Sequence, residues 1–248
     1  MRTTTAVRLA TALAAAAVLA GCSSAAGGTP APAAASSPER HGCLTEEQAA
    51  KGSVTVDGLA PVQAYFRDSD AGGAKTAVVL SHQNGGSLCD WIPYLDAFTR
   101  AGYAVLPYTA NGNVSDNIRQ VAGYLKARGI AALVLIGASK GGTGSIVAGS
   151  LPDLAVPPAA VVSLSSAESF GGDSASNAVK RLTVPVLFAA EAGDQPFADY
   201  AHGLHDTAAA KDKQLKIYPG ANHGAPLLSD GALPDVLAFL ARAAPPKR

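Results

Sequence analysis

The sequence predicts an α/β protein: an eight-stranded, mostly parallel sheet with helices on both faces and no large lid domain. Three observations carry that prediction. Short apolar runs alternate with longer helix-like stretches from about residue 53 onward, the order that parallel strands and crossover helices produce. The run 76–81 is continuously apolar, as expected of a strand buried on both faces. Residues 43–248 are enough for one domain with a sizeable core. Nineteen basic and nineteen acidic residues cancel and form no basic stripe, so nucleic acid is not an expected partner.

The chain opens with an export signature. Arg2 and Arg8 make a positive start, and 10–20 is an apolar stretch too short for a comfortable membrane span. Leu19-Ala20-Gly21-Cys22 resembles a bacterial lipobox, in which the cysteine is lipidated and becomes the first mature residue. Residues 1–21 are therefore read as a signal peptide and Cys22 as a lipid anchor on the outer side of the cell membrane. Residues 22–42 are largely Ser, Ala, Gly, Thr and Pro, a composition that buries too little to fold, and read as a flexible tether. The catalytic domain is placed at 43–248. Cys43 and Cys89 remain. In an exported protein they form the one available intramolecular pair and predict a disulfide. Neither lies in a C-x-x-C pair, so a metal site is not expected.

Runs 53–57 and 62–67 flank Asp57-Gly58 and predict a leading hairpin. Strands follow at 76–81, 103–108, 133–136, 160–164, 185–189 and 215–218, with helices near 91–101, 114–128, 142–151, 197–211 and 233–243. The interval 165–181 is too short to hold an inserted lid domain. Prolines at 157–158 and 185 mark entries into strands.

After the strand at 133–136 comes Gly137-Ala138-Ser139-Lys140-Gly141-Gly142. This is G-x-S-x-G, a turn that lifts a serine hydroxyl above a sheet edge at the start of a helix. Glycines are needed around the serine because the turn is tight. The pattern occurs once, between a predicted strand and a predicted helix. A phosphate loop is excluded because Thr143 stands where lysine is required. No G-x-G-x-x-G follows a strand, which disfavours a dinucleotide fold.

A serine hydroxyl needs a base. His202 and His205 lie at i and i+3 on a predicted helix beside Asp199 and Asp206 and read as a solvated face. His223 follows the last strand in Pro219-Gly220-Ala221-Asn222-His223-Gly224, at the same sheet edge as Ser139. Asp194, in the turn after 185–189, is the candidate acid that orients the imidazole. Glu168 is the reserve and Glu191 a poorer one. Upstream, His82-Gln83-Asn84-Gly85-Gly86 is a candidate oxyanion loop. Its N–H donor is Asn84, with Gln83 an open alternative, and Lys140 supplies the second N–H. His82 precedes the serine in the chain and reads as a residue that orders the loop.

These motifs, in this order, make residues 53–242 resemble an α/β-hydrolase, closest to compact dienelactone-hydrolase-like or cutinase-like esterases. Gln83, where the family usually has glycine, departs from the pattern. The resemblance implies acyl transfer: Ser139 attacks a carbonyl, an acyl-enzyme forms, and His223 activates water. It implies a small-molecule or polymer ester as substrate and no cofactor. A serine peptidase, an acyltransferase or a catalytically silent binding lipoprotein on the same fold are the competing readings. A complete candidate triad argues against silence.

Overall fold

A computed structural model of the protein describes residues 38–58 and 60–248. The expected signal peptide, the expected lipidation site Cys22 and most of the expected tether lie outside these residues. In chain order the elements are α1 (Glu46–Gly52), β1 (Ser53–Val56), β2 (Val62–Tyr65), β3 (Thr76–Ser81), α2 (Leu95–Arg100), β4 (Ala104–Thr109), α3 (Val114–Ala127), β5 (Ala132–Ala138) and α4 (Lys140–Gly149). Then come β6 (Pro158–Leu164), β7 (Ser169–Phe170), β8 (Asp173–Ser174), α5 (Ala175–Ala178), β9 (Val186–Glu191), α6 (Phe197–Thr207), β10 (Lys213–Tyr218) and α7 (Ala232–Ala243).

Eight strands form one sheet in the order β1-β2-β4-β3-β5-β6-β9-β10, and β7-β8 is a separate small hairpin. Only β2 runs against the others; it pairs antiparallel with both β1 and β4. From β4 to β10 every neighbouring pair is parallel. The eight-stranded, mostly parallel sheet is the one the sequence predicts.

Alternating residues of each strand feed two cores, one per face. In β5, Leu133 and Leu135 pack with Ile118, Val121 and Leu125 of α3 and Ile146 of α4. Val134 and Ile136 face the other way, towards Trp91, Phe98 of α2 and Phe239 of α7. All six residues of β3 are buried, in keeping with the unbroken apolar stretch Ala77–Leu80 between the buried Thr76 and Ser81. Among the described residues no helix is long and apolar enough to cross a membrane.

Some boundaries differ from the sequence reading, each for a local reason. The helix expected at 91–101 is a 3-10 segment, Leu88–Tyr94, followed by α2; Pro93 inside it has no N–H to continue an α-helical ladder. Helix α6 ends at Thr207, four residues short of the expected end. Helix α1 was not anticipated, yet it carries a capping box. The Thr45 hydroxyl accepts the Gln48 N–H at 3.1 Å, and Gln48 Oε1 accepts the Thr45 N–H at 2.8 Å. A disulfide joins Cys43 to Cys89 across 46 residues, as the cysteine count predicts.

The topology fixes where a site belongs. β3 lies between β4 and β5, so the chain leaves the ends of β3 and β5 in opposite directions. That divergence opens a crevice at the carboxyl edge of the sheet.

Candidate active site

Ser139 stands at this crevice, between β5 and α4. Its backbone is at φ 51° and ψ −119°, a left-handed conformation for a residue with a side chain. Such a conformation costs about 1–3 kcal/mol and persists only where its surroundings enforce it. Here the Ser139 N–H donates to the Leu164 carbonyl at 2.8 Å, and its carbonyl accepts the Thr143 N–H at 3.0 Å. The flanking glycines are a packing requirement. A Cβ on Gly137 would run into the Gly141 carbonyl, and one on Gly141 would run into the backbone oxygens of Ser81 and His82. The turn leaves Ser139 7% exposed at the amino end of α4, where unpaired N–H groups favour developing negative charge.

His223 and Asp194 come together from neighbouring strands. β9 and β10 are parallel, and their last pair is Glu191 with Tyr218, so both following loops emerge at the Ser139 edge. His223 Nδ1 lies 3.0 and 2.9 Å from the two Asp194 oxygens. Asp194 is buried, and the His223 side chain is 31% exposed. An ionised carboxylate only accepts, so Nδ1 carries the proton and Nε2 presents a lone pair. The Phe197 ring lies 4.2 Å from the imidazole, centroid to centroid. Among the described residues, no hydrogen bond joins Ser139 to His223. Such contacts commonly close only on substrate binding.

Glu168, the reserve acid, is exposed and touches neither residue; only its backbone carbonyl is engaged, by Ser176. Glu191 is 1% exposed, and its Oε2 accepts the Asn222 N–H at 2.6 Å. His202 is exposed, and His205 bonds the neighbouring Asp206 at 3.1 Å. Among the described residues no group of three metal-ligating side chains exists.

The His82 loop sits opposite. His82 is buried, and its Nε2 accepts the Ala110 N–H at 2.8 Å. The other nitrogen is therefore protonated and donates to the Gln83 carbonyl at 2.6 Å. Both ring nitrogens are spent on backbone, and burial pushes the imidazole below its usual range, so His82 is a neutral strut. The Gly86 N–H closes a turn onto the Gln83 carbonyl at 3.1 Å, leaving Asn84 exposed within it. Neither the Gln83 nor the Asn84 N–H has a protein acceptor among the described residues. The Gln83 side chain reaches across to accept the Ala225 N–H at 3.1 Å. A glycine at this position would have no atom to make that link.

Lys140 follows the serine. Burial lowers its ammonium pKa, and its Nζ lies 6.0 Å from the Phe170 ring centroid. Phe170 is 42% exposed on the β7-β8 hairpin, which occupies the short interval after β6. Side chains pin that hairpin: Asp173 accepts from the Ser115 hydroxyl and, at 3.1 Å, from the Ser115 N–H. Thr143 donates to the Ala167 carbonyl at 2.8 Å. Phe197 and the Phe170 hairpin escaped the sequence reading. Phe197 does follow Asp194 by three residues, where a helix begins, and that spacing was a usable signal.

No protein-family model and no curated protein matches this sequence. Solved structures do. A dienelactone hydrolase from Anabaena variabilis is 17% identical, with a TM-score of 0.62 over 77% of this chain and 94% of its own. A hydrolase from Pseudomonas aeruginosa reaches 0.64 at 15% identity, covering 76% of this chain and 98% of its own. The fold is that of the α/β-hydrolases. Est1E from Butyrivibrio proteoclasticus shares it, at 16% identity and a TM-score of 0.62, with 77% of this chain and all of that one aligned. Along the chain Ser139 comes first, then Asp194, then His223, which is the chain order that nucleophile, acid and base take in this fold.

Proposed function

We propose that this chain is a serine hydrolase that cleaves a carboxylic ester outside the cytoplasmic membrane, held there by a lipid on Cys22. The observation that carries the reading is the left-handed Ser139, raised at the crevice edge that also receives the His223–Asp194 pair. Esterases and hydrolases among structures of the same fold support it.

Ser139 Oγ attacks the ester carbonyl carbon while His223 Nε2 takes its proton. The carbonyl oxygen becomes an oxyanion, held by the Lys140 N–H at the amino end of α4 and by the Asn84 N–H in the turn after β3. Asp194 stabilises the imidazolium and keeps the proton on Nδ1. The tetrahedral species collapses, His223 returns the proton to the departing alkoxide, and an acyl-Ser139 ester remains. Water then loses a proton to His223 and attacks the acyl carbon, and collapse releases the acid and restores Ser139.

Fluorophosphonate labelling of fractionated cells tests both parts. The wild type gives a labelled band in the membrane fraction. Cys22→Ser moves the band to the soluble exported fraction, and Ser139→Ala abolishes it. A band that survives Ser139→Ala refutes the nucleophile; a Cys22→Ser protein still in the membrane refutes the anchor.

A further inference from the structure

Glu191 is the most anomalous ionisable group of the described residues. It ends β9, is 1% exposed, and has no cation within salt-bridge distance among the described residues. Its Oε1 has no hydrogen-bond partner there. Burying a carboxyl group so sparsely compensated is costly. A strand end that needed only volume would be served better by an apolar residue.

The one bond the side chain makes is informative. Oε2 accepts the N–H of Asn222, the residue before His223. Backbone pairing between the two strands ends just short of this point. The Ala192 N–H reaches the Tyr218 carbonyl at 2.9 Å, and the Gly193 N–H reaches the Gly220 carbonyl at 2.8 Å. Beyond Gly220 no backbone bond links the loop to β9, and the Glu191 carboxylate takes over. The loop is shaped around it. Gly220 has φ 117°, and a Cβ there would collide with Oε2. Glu191 also meets the acid: its carbonyl accepts the Asp194 N–H at 3.0 Å. A single residue thus bonds the backbone of Asp194 and of the residue adjoining His223.

We propose that Glu191 is a positioning residue whose buried carboxylate clamps the His223 loop onto the strand that carries Asp194. It touches no reacting atom and acts through the imidazole it places. A carboxyl group suits the task because its oxygen, at the end of a two-carbon stem, reaches the Asn222 N–H beyond the point where backbone pairing with β9 stops. The inference rests on the hydrolase reading only for its kinetic consequence; the clamp itself is a statement about the Asp194–His223 pair.

The test compares Glu191→Gln, which keeps an acceptor oxygen but exchanges the carboxyl group for an amide, with Glu191→Leu, which keeps no acceptor. Two quantities are read on the full mature protein. One is kcat and KM on 4-nitrophenyl butyrate; the other is the far-downfield proton resonance of the Asp194–His223 hydrogen bond. Misplacing a reacting group by a fraction of an ångström to one ångström lowers kcat by roughly 10- to 100-fold. That loss is expected in Glu191→Leu, with KM unchanged and the downfield proton shifted or lost. Glu191→Gln should fall between Leu and wild type. A folded Glu191→Leu with wild-type kcat and an unmoved proton overturns the clamp. If that variant fails to fold, Glu191→Gln decides, and the same two unchanged readings overturn it. A wild type that hydrolyses no ester refutes the hydrolase reading alone, since the proton resonance still reports on the clamp.

Discussion

Removing the Cys43–Cys89 disulfide should cost stability far more than activity. The bond closes a loop of 46 residues. For that length the chain-entropy relation gives about 14 cal/mol/K, or about 4 kcal/mol near room temperature. The described domain has roughly 210 residues, for which the unfolding entropy is about 440 cal/mol/K, so the melting temperature should fall by about 9 °C. The site itself has other supports. Cys89 is the second residue of the 3-10 segment, which is anchored by Leu88 and Trp91, both fully buried, and the Leu88 N–H donates to Thr109 Oγ1 at 3.2 Å. Those contacts keep the Asn84 turn in place without the sulfur bridge. The assay is thermal unfolding by circular dichroism of a Cys43→Ser/Cys89→Ser double variant, with initial rates measured well below the transition. A double variant melting within about 2 °C of wild type would contradict the entropic estimate. A collapse of kcat at low temperature would show that the bridge, not the buried 3-10 segment, holds the oxyanion turn.

Two further outcomes are expected. Asp194→Asn should lower kcat on the order of 10⁴-fold by misdirecting the imidazole tautomer, while Glu168→Gln, at an exposed position, should leave it near wild type; the reverse ranking would reassign the acid. The second concerns His82, whose folded pKa lies below the usual 6.5 because burial disfavours its charge. A base depressed in the folded state contributes stability that is full above its unfolded value and is lost as pH falls through that value towards the folded one. The melting-point advantage of wild type over His82→Gln should therefore be largest at about pH 7.5 and shrink by about pH 5, and a gap that stays constant would mean the imidazole does not titrate between the two states.

What the sequence made legible was written in local chemistry. The G-x-S-x-G turn announces itself because glycine is forced wherever Cβ would strike backbone, as at Gly141 against Ser81 and His82. The sheet was legible because burial on both faces makes the middles of β3 and β5, Ala77–Leu80 and Leu133–Ile136, apolar without a break. The capping box at Thr45 and Gln48 was equally local and went unread. Other features were not legible because they join residues far apart in the chain. Nothing near Gln83 reveals that its side chain meets the Ala225 amide. Asp173 caps the start of α3 from 58 residues away. Glu191 could be noticed as a carboxylate near Asp194, but its bond to Asn222 follows from the parallel pairing of β9 with β10, which the sequence does not state.

The Gln83 amide has a mechanical consequence. Its carbonyl oxygen connects the turn that carries Asn84 to the chain just after His223, so the two walls of the crevice are cross-braced. Displacing either wall strains the other. Ser139, by contrast, is set at the junction of β5 and α4, outside that brace. On the proposed mechanism, a ligand that wedged these walls apart would disturb the candidate base and the candidate oxyanion donor together while leaving Ser139 in place.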